Sequence, residues 1–425
     1  MKKKESKKVP FDTSNLDQYI FALDLEQRAA DLNEVLSYSK MRSYNYECKF
    51  KFFLERFLGI VVPAPDYFWV GSEVHSHCGS RFWFTNYKSA EKFSNQMLSF
   101  AIGRQANCAE DNRPPGRFVS SNHFWSRVRL AQKYCKAYFE ARVDEKRQGI
   151  PRIIEREMKA EVNGRKVRVI MDEISVTDIP QIIDIKTYRN PPQSETEANF
   201  GVGFQESLYL RALRWGLKHG FKEDLIERID KAIKDADSTQ KRKKLERERK
   251  YALDCFDAFG TNPDKIGFRM LFPQSGMRFD INIGDKHYQL LERLMSQTVS
   301  RITSLDFPKK PEDQRGTCRT QCRYFDVCKD FDATQPVKEL SRLIREGILI
   351  PLPRKEAPEP GRSFRTTLKK YDPLFRGDND WTRKCREIIE RERAKRKGKK
   401  YVKKGPKKRR LKKSEPIGEQ LGFWS

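Results

Sequence analysis

The sequence predicts an α/β (α+β) fold in which a mixed sheet is flanked by helices, and three features predict it. Ile150–Val162, Lys166–Val176 and Gln181–Thr187 read as short strands, and Asn163-Gly164 between the first two is a strong hairpin turn. Further on, Phe204–Lys218 repeats its apolar residues at three- and four-residue steps, the period of an amphipathic helix. A second hairpin, Ile266–Phe272 with Met277–Ile283, then precedes a helix over about 286–303.

The remaining elements follow in chain order. Residues 1–10 are a flexible basic leader, and residues 11–150 a helical N-terminal part. Its periodicity starts near Leu16, is clear across Tyr44–Leu58, and is interrupted at Arg113-Pro-Pro-Gly116. Residues 151–310 hold the sheet, and within them 221–252 is charge-dense with a helical period, expected to form a solvated insertion or hairpin arm. A cysteine-rich knuckle spans 311–335, and an extension over 336–393 opens with a helix near 335–346. Residues 394–425 form a basic tail with too little apolar content to build a core, expected to be disordered. No internal repeats are visible.

Charge points to a polyanionic partner. The formal net charge is +27, and residues 361–425 alone carry 23 Lys and Arg against 8 Asp and Glu. Nucleic acid is the commonest such partner, and a lysine-rich tail would touch its phosphates without reading sequence. No apolar run is long enough to span a membrane, and the basic N-terminus lacks the apolar stretch of a secretory signal. The nine cysteines are scattered apart from one group, which does not look like a disulfide framework. An intracellular, reducing compartment is expected, cytoplasm or nucleoid, or the nucleus in a eukaryotic or viral setting.

The chemistry-bearing residues begin with an acid–x–lysine pattern that occurs six times, starting at Glu5, Glu47, Asp144, Glu157, Asp184 and Glu248. Only Asp184 lies in an apolar strand, Ile182-Ile183-Asp184-Ile185-Lys186, after another strand that carries Asp172 among Val169, Ile170, Met171 and Ile174. Two carboxylates on adjacent strands can converge on one Mg²⁺ or Mn²⁺, a hard cation that prefers oxygen. The two-residue repeat of a strand puts Asp184 and Lys186 on one face, where the ammonium can orient the attacking water or help deprotonate it. Taken alone, the same pair reads more readily as a strand-end ion pair. Gln205 and Tyr209, four apart, project from one face of their helix. Gly71-Ser-Glu-Val-His75 supplies one of the five histidines.

In order, Gly-x-x-x-His, Asp, Asp-x-Lys and Gln-x-x-x-Tyr resemble the RecB-type branch of the PD-(D/E)XK nucleases over roughly residues 37–330. The resemblance implies a restriction-endonuclease-like core. It implies His75, Asp172 and Asp184 as metal ligands, Lys186 serving the attacking water, and Gln205 and Tyr209 supporting the site and DNA. Val169 stands where the family often has glycine, three residues before the first acid.

Cys318-x3-Cys322-x5-Cys328 resembles the cysteine knuckle of iron–sulfur nucleases of the AddB, exonuclease V and CRISPR-associated kinds. Their fourth cysteine lies near the N-terminus, and the setting of Cys48, before Lys-Phe-Lys-Phe-Phe, matches it. The first gap here is three residues rather than the usual two, and Lys49 stands where proline is common. The resemblance implies a 4Fe–4S cluster on Cys48, Cys318, Cys322 and Cys328, with zinc the other all-thiolate occupant. Joining residues so far apart in sequence would make metal binding part of folding. Cys78, Cys108, Cys135, Cys255 and Cys385 read as packing residues or bystanders.

These features together imply a metal-dependent nuclease hydrolysing DNA phosphodiesters, an exonuclease acting on single strands or ends in recombination, repair or replication. No phosphate-binding loop of an ATP motor is present, so a helicase or recombination protein is the expected partner. A CRISPR-adaptation nuclease is the neighbouring alternative. A non-catalytic DNA-binding or assembly protein is the other, disfavoured by the full set of acids, lysine and histidine.

Overall fold

A computed structural model describes residues 25–62, 66–97, 121–176, 179–188, 190–200, 203–259, 265–309, 322, 324–346, 348–351 and 364–366. The basic leader, the tail from 394, Cys108, Cys385 and Cys318 lie outside the described residues.

The chain is built on a five-stranded mixed sheet with strands in sequential order. β1 (Arg152–Val162) and β2 (Arg165–Val176) form a long antiparallel hairpin. Its turn residues Asn163 and Gly164 have φ of 52° and 68°, the left-handed pair that a tight hairpin needs. β3 (Pro180–Ile185) pairs antiparallel with β2, and β4 (Gly267–Phe272) pairs parallel with β3. β5 (Met277–Asp280) closes the second hairpin against β4.

A parallel pair requires a crossover, and the chain from β3 to β4 supplies one through the short α5 (Glu195–Phe200) and three long helices. The long ones are α6 (Phe204–Lys218), α7 (Phe221–Lys234) and α8 (Thr239–Phe259). The expectation of a solvated arm at 221–252 therefore needs correction. It is a helical hairpin, but Phe221, Leu225 and Ile229 on α7, with Ala252 on α8, join the main core. The apolar stripe recurs every four residues beneath a charged outer face, the arrangement of a helix with one side against a sheet.

The other face of the sheet is covered by α3 (Asp66–Cys78) and α4 (Ser121–Gln148), through a second apolar cluster containing Trp69, Val74, Phe82, Phe124 and Tyr138. Within it the Arg142 and Arg152 guanidiniums converge on the Glu173 carboxylate at 2.7 and 3.0 Å, all three side chains about 1% exposed. This ion triad fixes β2 one residue from Asp172. Cys78 and Cys135 pack in this cluster, and Cys255 in the main core.

A third apolar cluster ties α1 (Leu25–Glu34) and the segment 44–62 to residues 302–349, whereas α2 (Tyr38–Arg42) sends Met41 into the main core. Tyr324 donates its hydroxyl to the Ile60 carbonyl at 2.9 Å, and Tyr44 to that of Asp306 at 2.6 Å. Ile60–Val61, Phe364–Thr366 and Leu349–Pro351 add a small sheet there, a non-local pairing that the sequence did not announce. The helices over 285–303 and 336–345 match expectation within a residue or two. Among the described residues no helix is long and apolar enough to cross a membrane.

Candidate active site

The site forms where β2, β3, α3 and α6 meet. Continuing the β2–β3 register one step past the Glu173↔Ile183 pair sets Asp172 opposite Asp184. The tie is direct, because the main-chain N–H of Ile185 donates to Oδ2 of Asp172 at 2.7 Å. Nδ1 of His75 stands 3.5 Å from the same oxygen. Two residues along from Asp184, Lys186 Nζ lies 2.5 Å from that residue's Oδ2 and donates to Oε1 of Gln205 at 2.7 Å. Gln205 and Tyr209 are both buried on the inner face of α6. All six residues singled out for the nuclease site thus gather at one place. Gln205 and Tyr209 are positioned to support Lys186 and the two acids, rather than being open to a substrate.

Glycine explains how α3 comes close enough. A β-carbon at Gly71 would lie 2.9 Å from Oγ1 of Thr187, so a side chain there would push the helix off the end of β3. His75 is one helical turn further on, on the same face. One more turn brings Gly79, where a β-carbon would lie 2.7 Å from Oε1 of Glu155.

Glu155 and Glu206 were not found from the sequence. Glu155 sits on β1 between the pairs Ile154↔Glu173 and Arg156↔Met171, which places it across from Asp172, and its φ is +46°. That left-handed conformation is costly for a residue with a side chain. No sequence pattern marks it: the break in strand alternation, with Arg152, Ile153 and Ile154 buried in succession, shows only in the folded strand. Glu206 caps α6 by accepting from the Gly203 N–H at 3.0 Å and lies near Lys186. It follows Gln205 directly but belongs to no motif that the sequence presents.

Electrostatics separate the two acids. Burial works against the charge of Asp172, but His75 and the Ile185 N–H outweigh it and hold that carboxyl below its usual range. Burial pushes Asp184 up to about 6, with Asp172 adding to the rise against the pull of Lys186. His75 is lowered by burial but more strongly raised by Asp172, ending above its ordinary value. Lys186 likewise overcomes burial through Asp184 and Glu206 and stays firmly protonated. Burial, then Asp184 and Asp172, push the Tyr209 phenol up, so it remains a neutral donor.

The acids and the histidine face protein partners. Among the described residues no three His, Cys, Asp or Glu side chains are gathered closely enough to grip one ion. Their chemistry nevertheless suits a hard divalent cation. Two carboxylates and an imidazole lie on neighbouring elements, with His75 beside Asp172, and Oδ2 of Asp184, buried, makes no aligned hydrogen bond despite the nearby ammonium.

The cysteine knuckle is partly described. Cys48 lies between two short helical segments, its sulfur accepting from the Lys51 N–H at 3.5 Å. Cys48, Cys322 and Cys328 all pack against the third apolar cluster, so segments far apart in sequence bring three of the four predicted thiol ligands to one region.

A profile of the PD-(D/E)XK nuclease superfamily matches residues 35–329, well over half of the chain. Comparison with curated proteins gives no significant match. The match begins ahead of Cys48 and ends just past Cys328, enclosing the sheet and every side chain of the site. With its five-stranded mixed sheet and flanking helices in a restriction-endonuclease-like α/β arrangement, the chain belongs to the PD-(D/E)XK nuclease superfamily.

Proposed function

We propose that this protein is a Mg²⁺- or Mn²⁺-dependent deoxyribonuclease of the RecB type, trimming single strands or ends of DNA in recombination, repair or replication. The observation that carries the proposal is the unbroken chain of contacts from His75 through Asp172 and Ile185 to Asp184, Lys186 and Gln205. A strand-end ion pair alone would not need an imidazole, a second acid and a buried amide converging beside it.

His75, Asp172 and Asp184 would hold the ion. When bound, such an ion polarises the phosphate and makes a water nucleophilic near neutral pH. The protein's own residues supply the rest. Lys186, kept charged by Asp184 and Glu206, stands where it can neutralise a non-bridging phosphate oxygen and orient the attacking water. Gln205 fixes the ammonium by accepting a hydrogen bond from it, and the Ile185 N–H fixes the carboxylate of Asp172.

We further propose that Cys48, Cys322 and Cys328, with Cys318, hold a 4Fe–4S cluster that closes the N-terminal segment onto the end of the nuclease domain. The shared apolar cluster supports this assignment. The proposed activity is tested with an end-labelled single strand, an equivalent duplex and a circular single strand in Mg²⁺ or Mn²⁺. Digestion of the linear strand with the circle spared supports end-dependent cleavage, whereas nicking of the circle would replace it with an endonuclease.

A further inference from the structure

An aromatic row leads away from Lys186. Tyr188, two residues beyond it, is 48% exposed and leans its inner side on Phe272 with ring centroids 5.8 Å apart. Tyr38, from α2, lies close enough to Lys186 and Tyr188 to sense both, and packs on Phe204 at 5.0 Å. Tyr46 stacks on Phe204 at 5.7 Å with an interplanar angle of 10°, and is 57% exposed. Arg42, whose guanidinium carbon is 6.0 Å from the centre of the Tyr38 ring, adds positive charge along the row.

A single exposed tyrosine is ordinary, but here two half-open rings lie on one path with buried rings behind them. The rings are backed by Phe204 and Phe272, Arg42 lies beside them, and the path ends at the lysine assigned to the scissile phosphate. Unpaired bases offer flat apolar faces joined by phosphates, whereas duplex bases are already stacked on one another. We propose that Tyr188, Tyr38 and Tyr46 form a stacking track for an unpaired DNA strand running from the cutting site toward Cys48. This inference rests on the nuclease reading and specifies its substrate as single-stranded.

The test is fluorescence anisotropy of a short labelled oligothymidylate with the full-length protein, without added divalent ion so that nothing is cut. Tyr46→Ala and Tyr188→Ala are each expected to weaken binding by about fivefold to a hundredfold, the range seen when one stacked base loses its aromatic partner. Tyr46→Phe is expected to bind as wild type, and a matched duplex to be unaffected by Tyr46→Ala. Both rings are exposed, so the variants should fold, and their melting curves check this. Unchanged oligothymidylate binding by both alanine variants would overturn the track, as would equal losses for strand and duplex. Tighter binding of oligouridylate than of oligothymidylate would overturn its assignment to DNA. Failure of the nuclease reading has a different signature, namely wild-type protein that binds the strand but never cuts it in Mg²⁺ or Mn²⁺.

Discussion

Oδ2 of Asp172 accepts the main-chain N–H of Ile185 at 2.7 Å, so the first acid is fastened to the strand that carries the second. The carboxylate therefore has a structural part and a chemical part, and two substitutions separate them. Asp172→Asn keeps an acceptor for Ile185 but loses the charge. It should melt near wild type while cleavage falls by about a hundredfold or more. Asp172→Ala also leaves the Ile185 N–H without its partner, and should cost about 1–3 kcal/mol in denaturant unfolding.

Lys186 is held between Asp184 and Gln205, and the amide contributes only position. Gln205→Ala should lower the turnover rate by about tenfold to a hundredfold, the usual effect of losing a residue that orients a functional group. KM for the strand should change little, because Gln205 is buried and open to no substrate. Steady-state kinetics on a labelled strand give both constants. A change confined to KM would move Gln205 from positioning to binding.

Gly71 is predicted to matter because of the space beside Thr187. Gly71→Ala places a β-carbon 2.9 Å from Thr187 Oγ1 and should displace α3, carrying His75 away from Asp172. Cleavage falls, and Thr187→Ala in the same protein should recover part of it by vacating that volume. Such non-additivity is the mark of two residues in contact. Purely additive losses in a double-mutant cycle would show that the close approach is not what positions the histidine.

Much of this site was legible because strand alternation and helical period are local properties. Asp184 stood out among six similar motifs by its apolar setting, and Gln205 and Tyr209 by their spacing on a helix that starts where expected. Glu155 was not legible, because its placement depends on a backbone kink with φ of +46° that no residue type announces. The packing of α7 was obscured by charge. Phe221, Leu225 and Ile229 recur at helical spacing, but the lysines and glutamates between them dominate the composition. The small sheet that joins Ile60–Val61 to Phe364–Thr366 pairs segments too distant for any local pattern to connect.

The cysteine clasp is predicted to be visible by eye. Protein purified without oxygen should be brown, with iron and sulfide in equal amounts. Cys322→Ala should lose the colour and much of the folded yield, since Cys48, Cys322 and Cys328 sit on the apolar cluster that joins the two ends of the domain. Zinc without sulfide would reassign the site. Stable Cys322→Ala protein with unchanged metal content would remove the clasp altogether.

The most direct measurement is cleavage of an end-labelled single strand in Mn²⁺ by wild type, Asp184→Ala and Lys186→Ala, with folding of each variant checked by its melting curve. The wild type should shorten the strand, and each folded variant should be slower by about a hundredfold to ten-thousandfold. Folded variants that cut at the wild-type rate would contradict the assignment of His75, Asp172, Asp184 and Lys186 as the catalytic centre.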